Sequence, residues 1–395
     1  MVSIPPHGKL NMKILIAPDS FKESLSAEGV AQAIGRGFAA VIADAELVLL
    51  PVADGGEGTT QALVAATGGA LFSADVTGPM GETVSACWGT LGDGKTAVIE
   101  SAAASGLDLV PMAQRNPWVA TTRGTGELIL HALDAGARHI IVGLGGSATN
   151  DAGAGMLQAL GVRLLDAQGK DIAAGGGALQ ALHHIDATGM DPRLAEVQFE
   201  IACDVDNPLT GDYGASAVFG PQKGADAQMV QQLDACLGHF AEVVLACHGK
   251  DIDATPGAGA AGGLGGAFLA FTRARLKSGI DIVLDAVEID RHLDGADLVI
   301  TGEGRIDSQT VRGKTPVGVS KRAQKAGVPV IALAGSVSED SDLLHAHGID
   351  ALFSIVPGVV SLPQALEDAA DNLYRTARNI AATWQLAQAF EAKRR

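Results

Sequence analysis

A chain of 395 residues that is 47% hydrophobic and only 18% charged carries enough apolar material for two or three full cores, which excludes a disordered protein. Its formal net charge of −17 argues against a partner gripped by bulk positive charge, such as nucleic acid or an anionic membrane. Any anionic ligand must then be met by local cations, backbone N–H groups or a metal.

In chain order, residues 1–11 (MVSIPPHGKLN) lack the apolar stretch of a secretory signal and read as a disordered extension. KILIAP from Lys13 reads as a buried parallel strand, Ala27 to Ala40 as its helix, Glu46 to Ala53 as a second strand, with a helix from Glu57. Thr83 to Leu91 and Thr96 to Ser101 read as a hairpin around GDGK. Strands then centre on Ile140 and on Val197 to Asp204, and two long helices cover Ala225 to His248 and Gly262 to Leu276. Near the end, Asp297 to Thr301, Pro329 to Gly335 and Ala351 to Val356 read as strands, Pro316 to Gly327 as a helix, and a long helix runs from Leu362. Both ends therefore repeat βα units. The fold class is α/β: a Rossmann-like, doubly wound parallel sheet built from both termini (12–60 and 286–395), with a second α/β domain (61–285) inserted.

Polar clusters fall where strands end, the position at which open α/β sheets hold ligands. IIVGLGGSATNDAGAG enters a glycine turn at Gly145 and Gly146 that carries Ser147, Thr149, Asn150 and Asp151, groups suited to phosphate and Mg²⁺; the bland alternative is a turn whose Asn and Asp only cap a helix. PDSFKES offers Asp19 as a base or metal ligand and Lys22 for a phosphate or carboxylate, against capping by Asp19 or Ser24 with Lys22 in solvent. ADGGEG sets Asp54 and Glu57 around two glycines, a Mg²⁺-like arrangement or a plain acidic turn. ACDVDNPLTG presents Asp204, either a base for an attacking hydroxyl or an Asx-turn before Pro208. ITGEGRIDSQT alternates Glu303, Arg305 and Asp307; an Arg between carboxylates can clamp a substrate carboxylate or a migrating phosphoryl group, or form a surface ion pair.

Two pattern matches fail on context. GTLGDGKT (Gly89 to Thr96) fits the P-loop expression, but its Lys-Thr opens a strand rather than a helix. GAGAAG (Gly257 to Gly262) fits G-x-G-x-x-G, but no apolar strand precedes it, which argues against NAD; the helix that follows leaves room for an anion there. RGKT (Arg312 to Thr315) reads as a solvated loop. The ten histidines form no H-x-x-x-H pair and no G-x-S-x-G elbow accompanies them, leaving serine-hydrolase chemistry unsupported. Four cysteines without a C-x-x-C pair read as reduced thiols of a cytoplasmic protein, and no apolar run is long enough for a bilayer.

KILIAPDSFKESLSA, PVADGGEGT, IESAAASGL, TTRGTGELI, GLGGSATNDAGAG, FGPQKGA, PGAGAAGGLGGA and VITGEGRIDSQT occur in order, and on them the chain resembles the type 1 glycerate kinases from about Met12 to about Thr383. Ala152 stands where the family is expected to have Gly, and Asp206 where Thr is common. The resemblance implies ATP-dependent phosphorylation of D-glycerate with Mg²⁺, giving 2-phosphoglycerate, in a cleft between two domains. On that footing Gly145, Gly146, Ser147, Thr149, Asn150 and Asp151 cradle ATP phosphates, and Asp54, Glu57 and Glu303, with Asp151, supply Mg²⁺ ligands. Lys22 and Arg305 neutralise the substrate carboxylate or the migrating group, and the base is Asp204 or Asp307, then Asp19. The 3-phosphate outcome, a related hydroxy acid, a phosphatase or mutase with an Asp nucleophile, and a non-catalytic receptor for an acidic metabolite are the alternatives. The expected assembly is a monomer or homodimer, with no nucleic acid or membrane partner.

Overall fold

The computed structural model describes residues 12–308, 310–392 and 394; the expectation for residues 1–11 lies outside them. In chain order the strands are β1 (Lys13–Ile16), β2 (Glu46–Leu49), β3 (Ala70–Thr77), β4 (Thr83–Thr90), β5 (Thr96–Glu100), β6 (His139–Gly143), β7 (Arg163–Leu165), β8 (His184–Asp186), β9 (Gln198–Ala202), β10 (Arg275–Lys277), β11 (Leu298–Ile306), β12 (Val330–Val337) and β13 (Ala351–Ser354). The helices are α1 (Ala27–Ala39), α2 (Thr59–Thr67), α3 (Ala102–Ser105), α4 (Arg123–Asp134), α5 (Ala154–Ala159), α6 (Ala215–Phe219), α7 (Ala227–His248), α8 (Ala260–Phe271), α9 (Gly279–Ala286), α10 (Ile289–Leu293), α11 (Thr315–Ala326), α12 (Leu362–Glu367) and α13 (Ala369–Ala392). They form two compact units, one made of the chain up to Asp54 and from Val283 onward, the other of Gly55–Ile282.

The first unit holds a five-stranded sheet in the order β13-β12-β11-β1-β2, parallel throughout. Counted within the unit this is the doubly wound order 2-1-3-4-5, whose strand direction of growth reverses between β1 and β11. Ile14, Ile16, Leu298, Ile300 and Leu333 pack against Val30, Ile34 and Phe38 of α1 and Leu373 and Ala377 of α13. Burial on both faces explains why these strands read as continuous apolar runs. Ser26 starts α1 by accepting from the Gly29 N–H at 3.2 Å, so neither Asp19 nor Ser24 is its cap. The terminal helix is interrupted at Asp368, dividing it into α12 and α13.

The second unit carries a six-stranded sheet, β10-β9-β6-β5-β4-β3, parallel from β10 to β5 and antiparallel at β4 and β3. The small antiparallel pair β7-β8 stands apart. Lys95 and Thr96 sit in the β4–β5 hairpin, the Asp93 carboxylate accepting from both their N–H groups at 2.9 Å. The reading of Gly262 to Leu276 as one helix needs correction. Helix α8 ends at Phe271, and Arg275–Lys277 pairs in parallel with β9. Among the described residues no helix is long and apolar enough to cross a membrane.

Candidate active site

In the first unit, the backbone beyond β1 is held by its neighbours: Ala17 N–H donates to Ile300 O and Asp19 N–H to Gly302 O, both at 2.8 Å. This fixes Asp19 at the sheet's switch point, beside the far half of β11. That strand runs on through Ile306, so the expected loop ITGEGRI is strand interior. Glu303 and Arg305, two residues apart, therefore project to one side. They line a cavity of about 710 Å³ together with Asp19, Lys22, Asp54 and Lys314, while Ile355, Val356, Val360, Leu362 and Leu366 form an apolar wall.

Asp19 is held from two sides. Thr315 Oγ1 donates to its Oδ2 at 2.6 Å and Ser20 N–H to its Oδ1 at 2.6 Å. Burial, and next the nearby Asp54 carboxylate, still push its pKa up to about 6. Glu303 receives Thr310 Oγ1 at 2.6 Å and Lys314 Nζ at 3.4 Å. Burial dominates there too, with Asp19 adding to it, and the pKa rises to about 7. Three carboxylates thus crowd one pocket, each raising the cost of charging the next. Lys22 stands exposed at the apex of a turn closed by Phe21 N–H donating to Leu25 O, with Glu23 at φ +62°. The turn is pinned to α12 by Ser24 Oγ donating to Leu366 O at 2.6 Å.

RGKT is not the solvated loop expected of it: Lys314 and Thr315 both point into the acid cluster. Asp307 lies beside the cavity rather than on its lining; its Oδ2 pairs with Arg305 Nε at 3.1 Å. Thr315 was not legible as a site residue because its partner Asp19 lies 296 positions away, whereas Thr310 and Lys314 meet Glu303 only 7 and 11 positions away.

The glycine turn belongs to the second unit. Gly145 and Gly146 are exposed, Gly146 at φ +72°, but the polar side chains that follow are not. Thr149, Asn150 and Asp151 are fully buried and Ser147 nearly so. Asp151 accepts from Thr122 N–H and Oγ1 at 2.9 Å and from the N–H groups of Gly153 and Gly155 at 3.1 Å. Its burial raises its pKa against those bonds. Asp151 thus binds the turn together internally, and helix α5 after it has only six residues. Asn150 Nδ2 donates to Ser216 Oγ at 2.9 Å. What the turn can offer a ligand is the backbone at Gly145 and Gly146. Ala152 adopts φ +51°, the left-handed conformation that a glycine would occupy without strain.

Behind that turn lies Lys223, a residue the sequence reading passed over inside FGPQKGA. It is buried, and its Nζ donates to Ser147 Oγ at 3.0 Å and Thr149 O at 2.6 Å. GAGAAG serves packing. Gly262 at φ +68° lies so close that a Cβ there would meet Thr149 O at 2.0 Å, and Ala152 N–H donates to Gly262 O at 3.0 Å. Two further candidates belong to this unit. Asp204 is exposed and accepts from Gly279 N–H at the start of α9 at 2.9 Å. Glu57 is exposed; the acid near it is the half-buried Glu100, which accepts from Gly58 and Thr60 N–H and whose pKa desolvation raises.

Residues 14–385 match the model of the glycerate kinase family. The chain is 62% identical over 377 residues to a glycerate kinase of Bacillus subtilis strain 168, covering 95% of this chain and 99% of that one. It is 58% identical over 372 residues to a glycerate 2-kinase of Escherichia coli K12, covering 94% and 98%. The crystal structure of a Salmonella typhimurium LT2 protein described as glycerate kinase 2 superposes with a TM-score of 0.89 at 55% identity, over 95% of this chain and 99% of that one. With that extent of likeness, and an acid-and-cation pocket at the switch point of its sheet, the chain belongs to the glycerate kinase family.

Proposed function

We propose that this protein phosphorylates D-glycerate from ATP, at the 2-hydroxyl, giving 2-phosphoglycerate and ADP. The observation that carries the reading is the cavity of the first unit, where Asp19, Asp54 and Glu303 meet Lys22, Arg305 and Lys314. Phosphoryl transfer asks the protein mainly to position two anions and to steady charge, and this lining has both signs for that. The glycerate hydroxyl oxygen forms a bond to the γ-phosphorus as the β–γ bridging P–O bond breaks, and the hydroxyl proton passes to a carboxylate. Asp19 fits that role best, half-buried on the cavity wall with its pKa pushed up to about 6. Of the acids weighed as the base, Asp19 lines this cavity; Asp307, paired with Arg305, does not, and Asp204 belongs to the second unit. Arg305 and Lys22 balance the substrate carboxylate and the migrating group. The Gly145–Gly146 turn fits nucleotide phosphate through its backbone.

The donor set fits Mg²⁺. Among the described residues no three His, Cys, Asp or Glu side chains form a ready-made cage. Mg²⁺ takes only one or two carboxylates, with phosphate and water completing its shell. Asp54 and Glu303 would hold it, and their mutual crowding with Asp19 is what a cation relieves; bound there it would shield the phosphate oxygens. Glu57, exposed in the second unit, does not join that set. A soluble cytoplasmic enzyme, monomeric or homodimeric, is the setting we infer.

The test is a coupled assay. Purified protein with ATP, Mg²⁺ and D-glycerate should yield ADP, EDTA should abolish it, and phosphorus NMR should find the 2-phosphate. Silence with glycerate beside turnover of another hydroxy acid would move the substrate, and a 3-phosphate would move the regiochemistry.

A further inference from the structure

Lys223 is a fully buried ammonium that forms no ion pair among the described residues. Its two hydrogen-bond partners, Ser147 Oγ and Thr149 O, are neutral. Burying a lysine on neutral acceptors costs more than those bonds return, unless a negative charge completes the site. The nearest acid, Asp151, already accepts four hydrogen bonds from Thr122, Gly153 and Gly155. Both partners of the amine belong to the turn whose tip, Gly145–Gly146, is exposed. The same turn holds two more buried polar atoms without a partner among the described residues, Thr149 Oγ1 and Asn150 Oδ1. A turn built at such expense, with a cation set behind a bare glycine tip, has the form of a preorganised anion site.

We propose that Lys223 is a positioning residue for nucleotide binding: it holds Ser147 and Thr149 so that the Gly145–Gly146 backbone meets the phosphates, and the bound phosphate supplies its missing counter-charge. This rests on the kinase reading above. Lys223 does not touch the reacting atoms, so its effect belongs in ATP affinity.

Burial drives the Lys223 pKa down to about 7, with Asp151 opposing. The charged group acting on it is Asp151 on the turn; Arg115 bonds the backbone of the adjacent Gln222, its Nη1 donating to Gln222 O at 3.2 Å. The experiment is KM for MgATP and for D-glycerate from pH 6 to 8.5 on the full chain. Glu303 ionises in the same range with the opposite effect on MgATP, in parent and variant alike, so the reading is the ratio of variant to parent KM at each pH. Lys223→Met should raise KM for MgATP about tenfold at pH 6, and that ratio should fall as pH rises through about 7 and the parent amine discharges, while KM for glycerate stays within about twofold. Should that variant fail to fold, Ser147→Ala keeps the amine but removes one contact and should raise KM for MgATP by a ratio that does not fall with pH. A folded Lys223→Met with KM for MgATP within about twofold of the parent at pH 6, a ratio that does not fall with pH, or equal rises for both substrates would overturn the proposal. If the parent turns over no glycerate, the kinase reading fails instead; calorimetry with the Mg²⁺ complex of a non-hydrolysable ATP analogue then applies the same affinity criterion to parent and variants.

Discussion

Glu303 shows how burial changes what a carboxylate does. Its pKa of about 7 lies above its ordinary value of 4.5. Between those values the native state holds a proton that the unfolded chain has released, so the group's contribution to stability is complete below about pH 4.5 and is lost as pH rises through 7. Glu303→Gln removes the penalty of charging. Without Mg²⁺, we expect the variant to be more stable than the parent at pH 8 by at most about 3 kcal/mol, and equal to it at pH 4. The gain is reduced by whatever the Lys314 bond at 3.4 Å contributes. Thermal unfolding in EDTA at both pH values checks this. A variant weaker than the parent at pH 8 would mean that Lys314 and Thr310 hold Glu303 as a net-favourable anion. The sequence displayed this residue's chemistry in the glycine-flanked GEGRID, but not its supports. Lys314 and Thr315 reach the acids because α11 begins at the end of β11, a relation set by sheet packing. The four hydrogen bonds that bury Asp151 within its turn were likewise not legible, because from the sequence a buried carboxylate and a ligand-facing one look the same.

Between elements, α8 meets the glycine turn of the second unit at very close range. The first residues of α8, Ala261 to Gly263, are left-handed, and Gly262 lies where a Cβ would fall 2.0 Å from Thr149 O and 2.6 Å from Asn150 Cα. Both obstacles are backbone, which cannot swing aside as a side chain can. Gly262→Ala should therefore destabilise the protein by about 3 kcal/mol or more, combining overpacking with a left-handed alanine. Urea unfolding measures it, and a loss under about 1 kcal/mol would show that the turn yields easily. The glycines of the G-x-G-x-x-G pattern thus have a packing use that periodicity cannot reveal. Other elements were legible in proportion to their burial. The parallel strands of the first unit, apolar on both faces, stood out. Edge strand β3, with Leu71 and Phe72 exposed, has no such run and went unread. The polar end of β11 looked like a loop because ligand-facing strands abandon the apolar pattern.

Across the whole molecule, the two units differ in how the chain builds them. The first needs β1, near the start and flanked by β2, to pair with β11, Ile14 standing opposite Leu298. The second is one continuous stretch, Gly55–Ile282, with a core of its own that includes Ile140, Val142, Phe199, Phe240 and Phe268. Loop-closure entropy must be met before distant strands pair, whereas a contiguous segment with a complete core can fold alone. We expect the fragment Gly55–Ile282 to fold in isolation, with near-UV circular dichroism and a cooperative urea transition. The joined pieces of the first unit should not fold without the connection between Asp54 and Val283 that holds β2 and β11 on one chain. Native-state hydrogen exchange on the full protein gives an independent reading: amides of β6 and β9 should exchange only through unfolding of their own unit, retaining protection at urea concentrations where those of β1 and β11 have lost it. A fragment that is collapsed and non-cooperative, together with one common exchange energy for all four strands, would mean that the second unit depends on the first for its stability.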